Sequence, residues 1–466
     1  MPALPFCRPR ATGSPAVFAA GLAAGLVATL ALSAAQARCV DEEQPLPGAA
    51  ADAGPPVDPR LTLKNLVQDA LQRSHAVGAS KLLAEAALAD VDETRAAKSP
   101  TASLGLGLGP GGTSERNVAQ GTDVRQNQAL QSRVSINVSQ LLYDGGRTDR
   151  LTDWRTQLAE SARLGAQSVQ EQLAVTTVSL ALERNRYRQH MQVYGQYVRK
   201  MGCLVEALET IVRADRGRAS ELVQARKSLQ QAELALVQSQ SQSRQVDVRL
   251  RRLVGDGLPG TEGLASVLLR VPELPQIVAD VEQSADVAAA TAQAQAAESY
   301  AAAVAAGGKP QVSWALSGAA RAGAGGNMGR TNGSDYSLAL SLNIPLLSPG
   351  LAPASSAARK RAEAAAAQRA ETVETRRFRA AEVFEQTVSS FDRARRTSAL
   401  LKNTDQLRDF TLQQWQQLGK RSLFDVMATE SEHYNLRVSY INALVDGQQL
   451  NANLLSLGRG VNHWLQ

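Results

Sequence analysis

The chain has 466 residues, a formal charge of +6 and only 4% aromatic residues. Large core side chains are scarce and Ala, Gln, Ser and Arg dominate, which argues against a compact enzyme of this length. The charge comes from arginines interspersed with acids. Even the densest run, Arg359 to Arg379, alternates with Glu363, Glu371 and Glu374, so it reads as a solvated helical face before a nucleic-acid site.

Residues 1–37 read as a signal peptide. Arg8 and Arg10 precede an apolar stretch from Ala16 to Leu32, and Ala35-Gln36-Ala37 has the small-x-small form of a cleavage site. A membrane anchor is the other reading, and the cleavage site and the Pro- and Gly-rich stretch that follows weaken it. Cys39 invites lipidation, but Arg38 stands where a lipobox needs a small residue. The mature chain would hold two cysteines, Cys39 and Cys203, one of them in a disordered leader at 38–60. No structural disulfide is therefore expected. No other stretch is apolar enough for a transmembrane helix, so any crossing must use strands.

Helical periodicity runs from Leu61 to about Lys98 and stops at Ser99-Pro100. A strand follows, with Leu104, Leu106 and Leu108 on one side and glycines on the other. Its Gly107-x-Gly109-x-x-Gly112 matches a dinucleotide fingerprint, but no apolar helix opens after Gly112 and no βαβ unit surrounds it. A loop from Pro110 to Ala129 is expected instead. The chain returns through Arg133 to Leu142 as a second alternating strand and turns at Tyr143-Asp144-Gly145-Gly146. A long helix then runs from about Arg147 to Arg213, on the order of 100 Å at 1.5 Å per residue.

The next helix, Arg218 to Leu253, carries a heptad seam. Leu222, Leu229, Leu236, Ser243 and Leu250 fill one position, and Ala225, Ala232, Ser239, Val246 and Leu253 the other. Small residues at alternate layers suit closely packed antiparallel helices, in a two-stranded coiled coil or a larger bundle. Residues 256–275 read as a linker.

The plan then repeats. A helix from Gln276 to Ala306 leads to a strand with Val312, Trp314 and Leu316 on one face, then to a Gly-rich loop at 323–333. The next strand, Asp335 to Leu347, is the most regular. Leu338, Leu340 and Leu342 alternate with Ser337, Ser341 and Asn343. A lone strand of this kind would fit the edge of a soluble sandwich. Recurring strands instead suggest a lipid-facing side, Leu338, Leu340 and Leu342, and a lumen-facing side, Ser337, Ser341 and Asn343. A second long helix runs from about Ala352 to Leu418, Gly419 breaks it, and a last helix runs from Ser422 to about Leu457. Matching landmarks in the two halves lie about 203 to 205 positions apart, which indicates duplication. The expected domains are 61–255 and 276–458, with a tail at 459–466. Four strands cannot close a barrel, so other copies must complete them. Two copies give a filled barrel of eight strands and three give twelve with room for a lumen.

The sequence resembles the TolC-type outer-membrane efflux and secretion channels along nearly all its mature length. The likeness rests on Leu61-Thr62-Leu63 with Leu66 to Leu71, and on Ser99-Pro100-Thr101-Ala102-Ser103-Leu104. It rests also on Val138 to Arg147 (VSQLLYDGGR) and on Gly419 to Val426 (GKRSLFDV). The resemblance implies a homotrimer with a twelve-stranded outer-membrane barrel continued by a periplasmic helical tunnel. The missing lipobox and the GKRSLFDV motif look more like the type I secretion branch, whose channels dock onto an inner-membrane ABC exporter and a membrane fusion protein. The exported cargo would be a protein such as an RTX toxin. A drug-efflux channel working with a proton-driven pump is the alternative, and a soluble periplasmic coiled-coil adaptor the remaining rival.

The family pattern carries two aspartates three residues apart after the GxR motif. Asp425 matches the first, but Ala428 replaces the second; Glu221 takes the acidic position in the first half. The resemblance thus places Asp425 and Glu221 at a periplasmic constriction. Arg421, one turn before Asp425, is the natural counter-charge to either acid. His75, His190, His433 and His463 are far apart without ligand spacing, and no nucleophile elbow or phosphate loop appears. No enzymatic activity, metal, cofactor or nucleic-acid partner is expected.

Overall fold

The computed structural model describes residues 58–117, 122–324, 330–418 and 421–466. The expected signal peptide and nearly all of the expected leader lie outside the described residues, as do Gly419 and Lys420. In chain order the elements are α1 (Pro59–Arg73), α2 (His75–Ala96), β1 (Thr101–Asn117), β2 (Thr122–Tyr143), α3 (Arg147–Ala214) and α4 (Ala219–Val254). They continue with α5 (Leu274–Asp280), α6 (Ala285–Ala306), β3 (Gln311–Ala324), β4 (Arg330–Asn343), α7 (Leu351–Leu418), α8 (Leu423–Leu457) and α9 (Val461–Leu465). The two long helices, α3 and α7, are each 68 residues long, as a duplicated plan requires.

The described residues divide into two compact units. A hairpin unit holds Arg188–Ser241 and Ala399–Val438; a strand unit holds residues 58–187, Gln242–Ser398 and Ser439–Gln466.

The strand unit contains one antiparallel sheet in the order β1-β2-β3-β4. Its strands outrun the expectation, since the stretch read as a loop from Pro110 to Ala129 is mostly strand. Gly111 pairs with Ala129, and Glu115 with Arg125. The apolar pattern marked only the part with an oily face, whereas backbone pairing goes on wherever N–H and C=O groups meet. At the other end, β4 stops at Asn343, short of Leu347. Pro345 has no N–H to donate to a ladder, so the alternation of Ile344 and Leu346 lies beyond the strand.

The corner from β2 into α3 is built by Tyr143-Asp144-Gly145-Gly146. Gly145 and Gly146 adopt φ of +67° and +82°, which side chains disfavour. Asp144 accepts from Gly146 N at 3.1 Å, Thr148 N at 2.6 Å and Thr148 Oγ1 at 2.5 Å, and so caps the helix. Burial pushes the Asp144 carboxyl up, but the bonds from Thr148 and Gly146 outweigh it and hold the carboxyl below its ordinary value. The stability it adds is present above the unfolded pKa and lost as pH falls through the lowered one.

Three further expectations change. Helical pattern runs unbroken from Leu61, yet the helix splits at Ser74, whose Oγ accepts from Val77 N and caps α2. The helix expected from Gln276 to Ala306 restarts at Ser284, the N-cap residue of α6. Cys203 is half of a disulfide, against the expectation of none; Cys7 and Cys39 lie outside the described residues.

The stretch 256–275 is more than a tether. Leu264, Val267 and Leu268 are buried. Gln448 donates to the carbonyls of Leu264, Ala265 and Val267, and Asn451 to those of Leu268 and Arg270. These two amides of α8 pair backbone groups that burial would otherwise leave unmet. The C-terminal stretch also docks, because Glu171 of α3 accepts from the backbone N–H groups of Val461 and Asn462 at the start of α9.

Along α4, burial follows the heptad seam. Ala225, Ala232, Ser239, Ser243, Val246 and Leu250 are buried, while Leu229 and Leu236 are half-buried. Small residues at these layers let the helix approach its neighbour closely.

Candidate functional site

Two places carry the candidate residues: the faces of the sheet and the end of the hairpin unit. Strand register sorts the sheet into an apolar and a polar side. Ala102 pairs with Val138, Val138 with Leu316, and Leu316 with Leu338. One rung away, Leu104, Ile136, Gly318 and Tyr336 line up, and Trp314 and Val312 pair with Leu340 and Leu342. Leu338, Leu340 and Leu342 are 73%, 72% and 62% exposed in the single chain. A face this oily left bare in water marks an interaction surface.

The opposite side is polar. Ser103, Asn137, Ser317 and Ser337 form one continuous rung across the four strands. Ser317 and Ser337 share a hydrogen bond of 2.7 Å, as do Ser313 and Ser341. Asn343, the last residue of β4, pairs with Gln311. Ser337, Ser341 and Asn343 thus share one side of β4, and Leu338, Leu340 and Leu342 the other. Among the described residues β1 and β4 each keep an edge free of a strand neighbour. No described helix is long and apolar enough to cross a membrane.

In the hairpin unit, Arg421 precedes α8 and Asp425 sits in its first turn. The Arg421 guanidinium lies 3.7 Å from the Asp425 carboxylate, both side chains 48% exposed. Arg421 Nε also donates to Gln414 Oε1 at 3.2 Å. Glu221 lies in the first turn of α4, after a tight turn in which Asp215 accepts from Gly217 N at 2.9 Å. One oxygen of Glu221 is buried without a hydrogen-bond donor, and among the described residues Glu221 forms no ion pair. Of the two counter-ion options, the single chain therefore pairs Arg421 with Asp425.

Sequence reading missed a second cluster in this unit. Glu430 of α8 is 0% exposed, with Lys200 of α3 at 3.7 Å and Arg408 of α7 at 3.9 Å. Arg437 donates to Gln196 at 2.7 Å, His433 lies 3.0 Å from Asp405, and Tyr197 stacks on Tyr434 with ring centroids 4.7 Å apart. The signal was present in the spacing of Glu430, His433, Tyr434 and Arg437, which recur at three and four on one helical face. Without known neighbours that face passes for a solvated one. No group of metal-ligating side chains occurs among the described residues.

Against known proteins, residues 66–256 match the family described as outer membrane efflux protein. No curated protein sequence matches the chain. Several solved structures share the fold. CusC, described in connection with transmembrane channel formation, superposes with a TM-score of 0.75 at 17% identity, over 90% of this chain and 99% of that one. The outer membrane protein VceC of Vibrio cholerae gives 0.72 at 19% identity, over 86% and 97%. The MtrE outer membrane channel of Neisseria gonorrhoeae, solved in its open state, gives 0.70 at 15% identity, over 90% and 96%. At these identities the likeness is one of fold, and it covers most of this chain. Its mixed architecture of barrel strands and long helices is the expected one.

Proposed function

We propose that the protein is the exit duct of a tripartite type I secretion system, a homotrimer that passes a polypeptide through the outer membrane. The observation that carries the channel reading is the sheet: one apolar face, one polar face and two free edges. Open edges in hydrocarbon leave backbone groups unpaired at several kcal/mol each, so strands from further copies must complete it. Three copies supply twelve strands and a polar lumen. An ABC exporter and a membrane fusion protein would deliver the cargo. The choice of secretion over small-molecule efflux rests on Arg38 before Cys39 and on the motif from Gly419 to Val426. Deleting the gene should remove one abundant polypeptide from the culture medium and leave drug sensitivity unchanged. Drug sensitisation with an unchanged set of secreted proteins would favour efflux.

At the hairpin ends we assign Asp425 and Glu221 to an acidic constriction closed by Arg421. At about 8 Å in water two carboxylates repel by only ~0.5 kcal/mol, so their repulsion alone does not hold an aperture open. Arg421→Ser should raise single-channel conductance in planar bilayers, and Asp425→Ala with Glu221→Ala should reduce preference for cations. Unchanged conductance and unchanged selectivity would leave all three as exposed charges of little energetic weight.

A further inference from the structure

The described strands carry few charges, and their placement is uneven. On the apolar side, from Ala102 to Pro110, Leu130 to Leu142, Val312 to Ala322 and Asn332 to Leu342, there is no charged residue. On the polar side, among residues whose side chains are described, there are three: Arg133, Arg321 and Asp335. Arg133 and Arg321 are direct cross-strand partners. Gly107 flanks Arg133 on the same rung, and Gly333 flanks Arg321. Like charges placed opposite each other destabilise a sheet, so this pairing works against stability. Asp335, one rung nearer the helices, reaches Arg321 at 3.4 Å, with both side chains at least half exposed. Arg133 is exposed and has no ion-pair partner among the described residues.

The level of this rung matters. The strands join the helices near Thr101, Tyr143, Gln311 and Asn343, so Arg133 lies midway along β2 and Arg321 near the far end of β3. On the opposite face, the described large apolar side chains thin out past the neighbouring rung of Leu108, Ser132, Ala322 and Asn332 and end one rung farther, at Leu130. The arginines therefore sit just inside the outer edge of the oily band, on the side turned away from it, which excludes a lipid headgroup as their ligand.

We propose that Arg133 and Arg321 form a cationic collar inside the barrel, near the outer edge of its apolar band, that binds carboxylate-rich segments of the exported polypeptide. This rests on the trimeric-duct reading above. Three copies place six guanidiniums around one axis, with three Asp335 carboxylates leaving a net positive charge. Guanidinium forks match carboxylates, and the flanking glycines leave room for a chain to approach. A ring of one sign in a narrow opening focuses its field along the axis.

The test uses the full-length protein reconstituted in planar bilayers, with poly-L-aspartate as the probe, added to one side at a time. From the strand-tip side, wild type should be blocked at a concentration about tenfold lower than Arg133→Ser/Arg321→Ser requires. Arg133→Ser alone, which keeps the Arg321–Asp335 pair, should show a smaller shift in the same direction. Arg133→Lys/Arg321→Lys should retain most of the block, and raised salt should weaken it in wild type. Equal blocking concentrations in wild type and the serine variants would overturn the collar, as would a wild type that poly-L-aspartate does not block. A wild type that conducts no current would instead overturn the duct reading.

Discussion

Leu340→Arg should abolish accumulation of the protein in outer membranes, whereas Ser341→Arg, one residue along, should insert normally. The two positions differ only in which way the strand turns them. Leu340 pairs with Trp314 on the apolar face, one rung in from its helical edge, while Ser341 pairs with Ser313 on the polar one. A guanidinium on the lipid side costs up to roughly 2–4 kcal/mol per copy at mid-bilayer and less toward the edge, and a closed ring of three carries that cost three times. An arginine at position 341 would forfeit only the Ser313–Ser341 hydrogen bond, worth about 1 kcal/mol. Quantifying both variants in washed outer membranes against wild type gives the answer. Equal insertion would reverse or abolish the facing assignment, and with it the lumen role of Ser337, Ser341 and Asn343.

Glu430→Ala should loosen the hairpin unit by about 3–5 kcal/mol, the usual cost of removing one partner from a buried charge cluster. The carboxylate is 0% exposed, and its neighbours Lys200 and Arg408 come from two different helices. Without it, two cations of a largely buried site face each other uncompensated. Amide hydrogen exchange should accelerate in residues 188–214 and 423–438 while the strands stay protected. Replacing the set together, Lys200→Met with Arg408→Met and Glu430→Leu, should recover much of the loss, because an apolar core avoids the desolvation cost. Wild-type exchange rates in Glu430→Ala would show that the cluster contributes little to holding these helices together.

Periodicity made the strands and long helices readable, because each buries or exposes one stripe of side chains. The alternation of Leu338, Leu340 and Leu342 with serines is visible without any partner, and so is the seam of Ala225, Ala232 and Ser239. What escaped depends on contacts between distant parts of the chain. Nothing in the stretch 256–275 announces that Gln448 and Asn451 will satisfy its carbonyls. Nothing around Glu430 names Lys200 and Arg408 as its neighbours. Backbone pairing beyond Gly109 escaped because it carries no apolar signature, and the strand end at Asn343 was overrun because Leu346 mimics the alternation that Pro345 interrupts. The carboxylates at the hairpin end were placed through family likeness. Their local pattern is that of ordinary exposed helix starts.

The central claim is that one chain supplies a third of a closed barrel, since four strands with free edges cannot be stable alone in lipid. Mass determination of the protein in mild detergent tests it most directly. A species of three chains that resists dissociation is the predicted result. A monomer or a dimer as the stable species would contradict it.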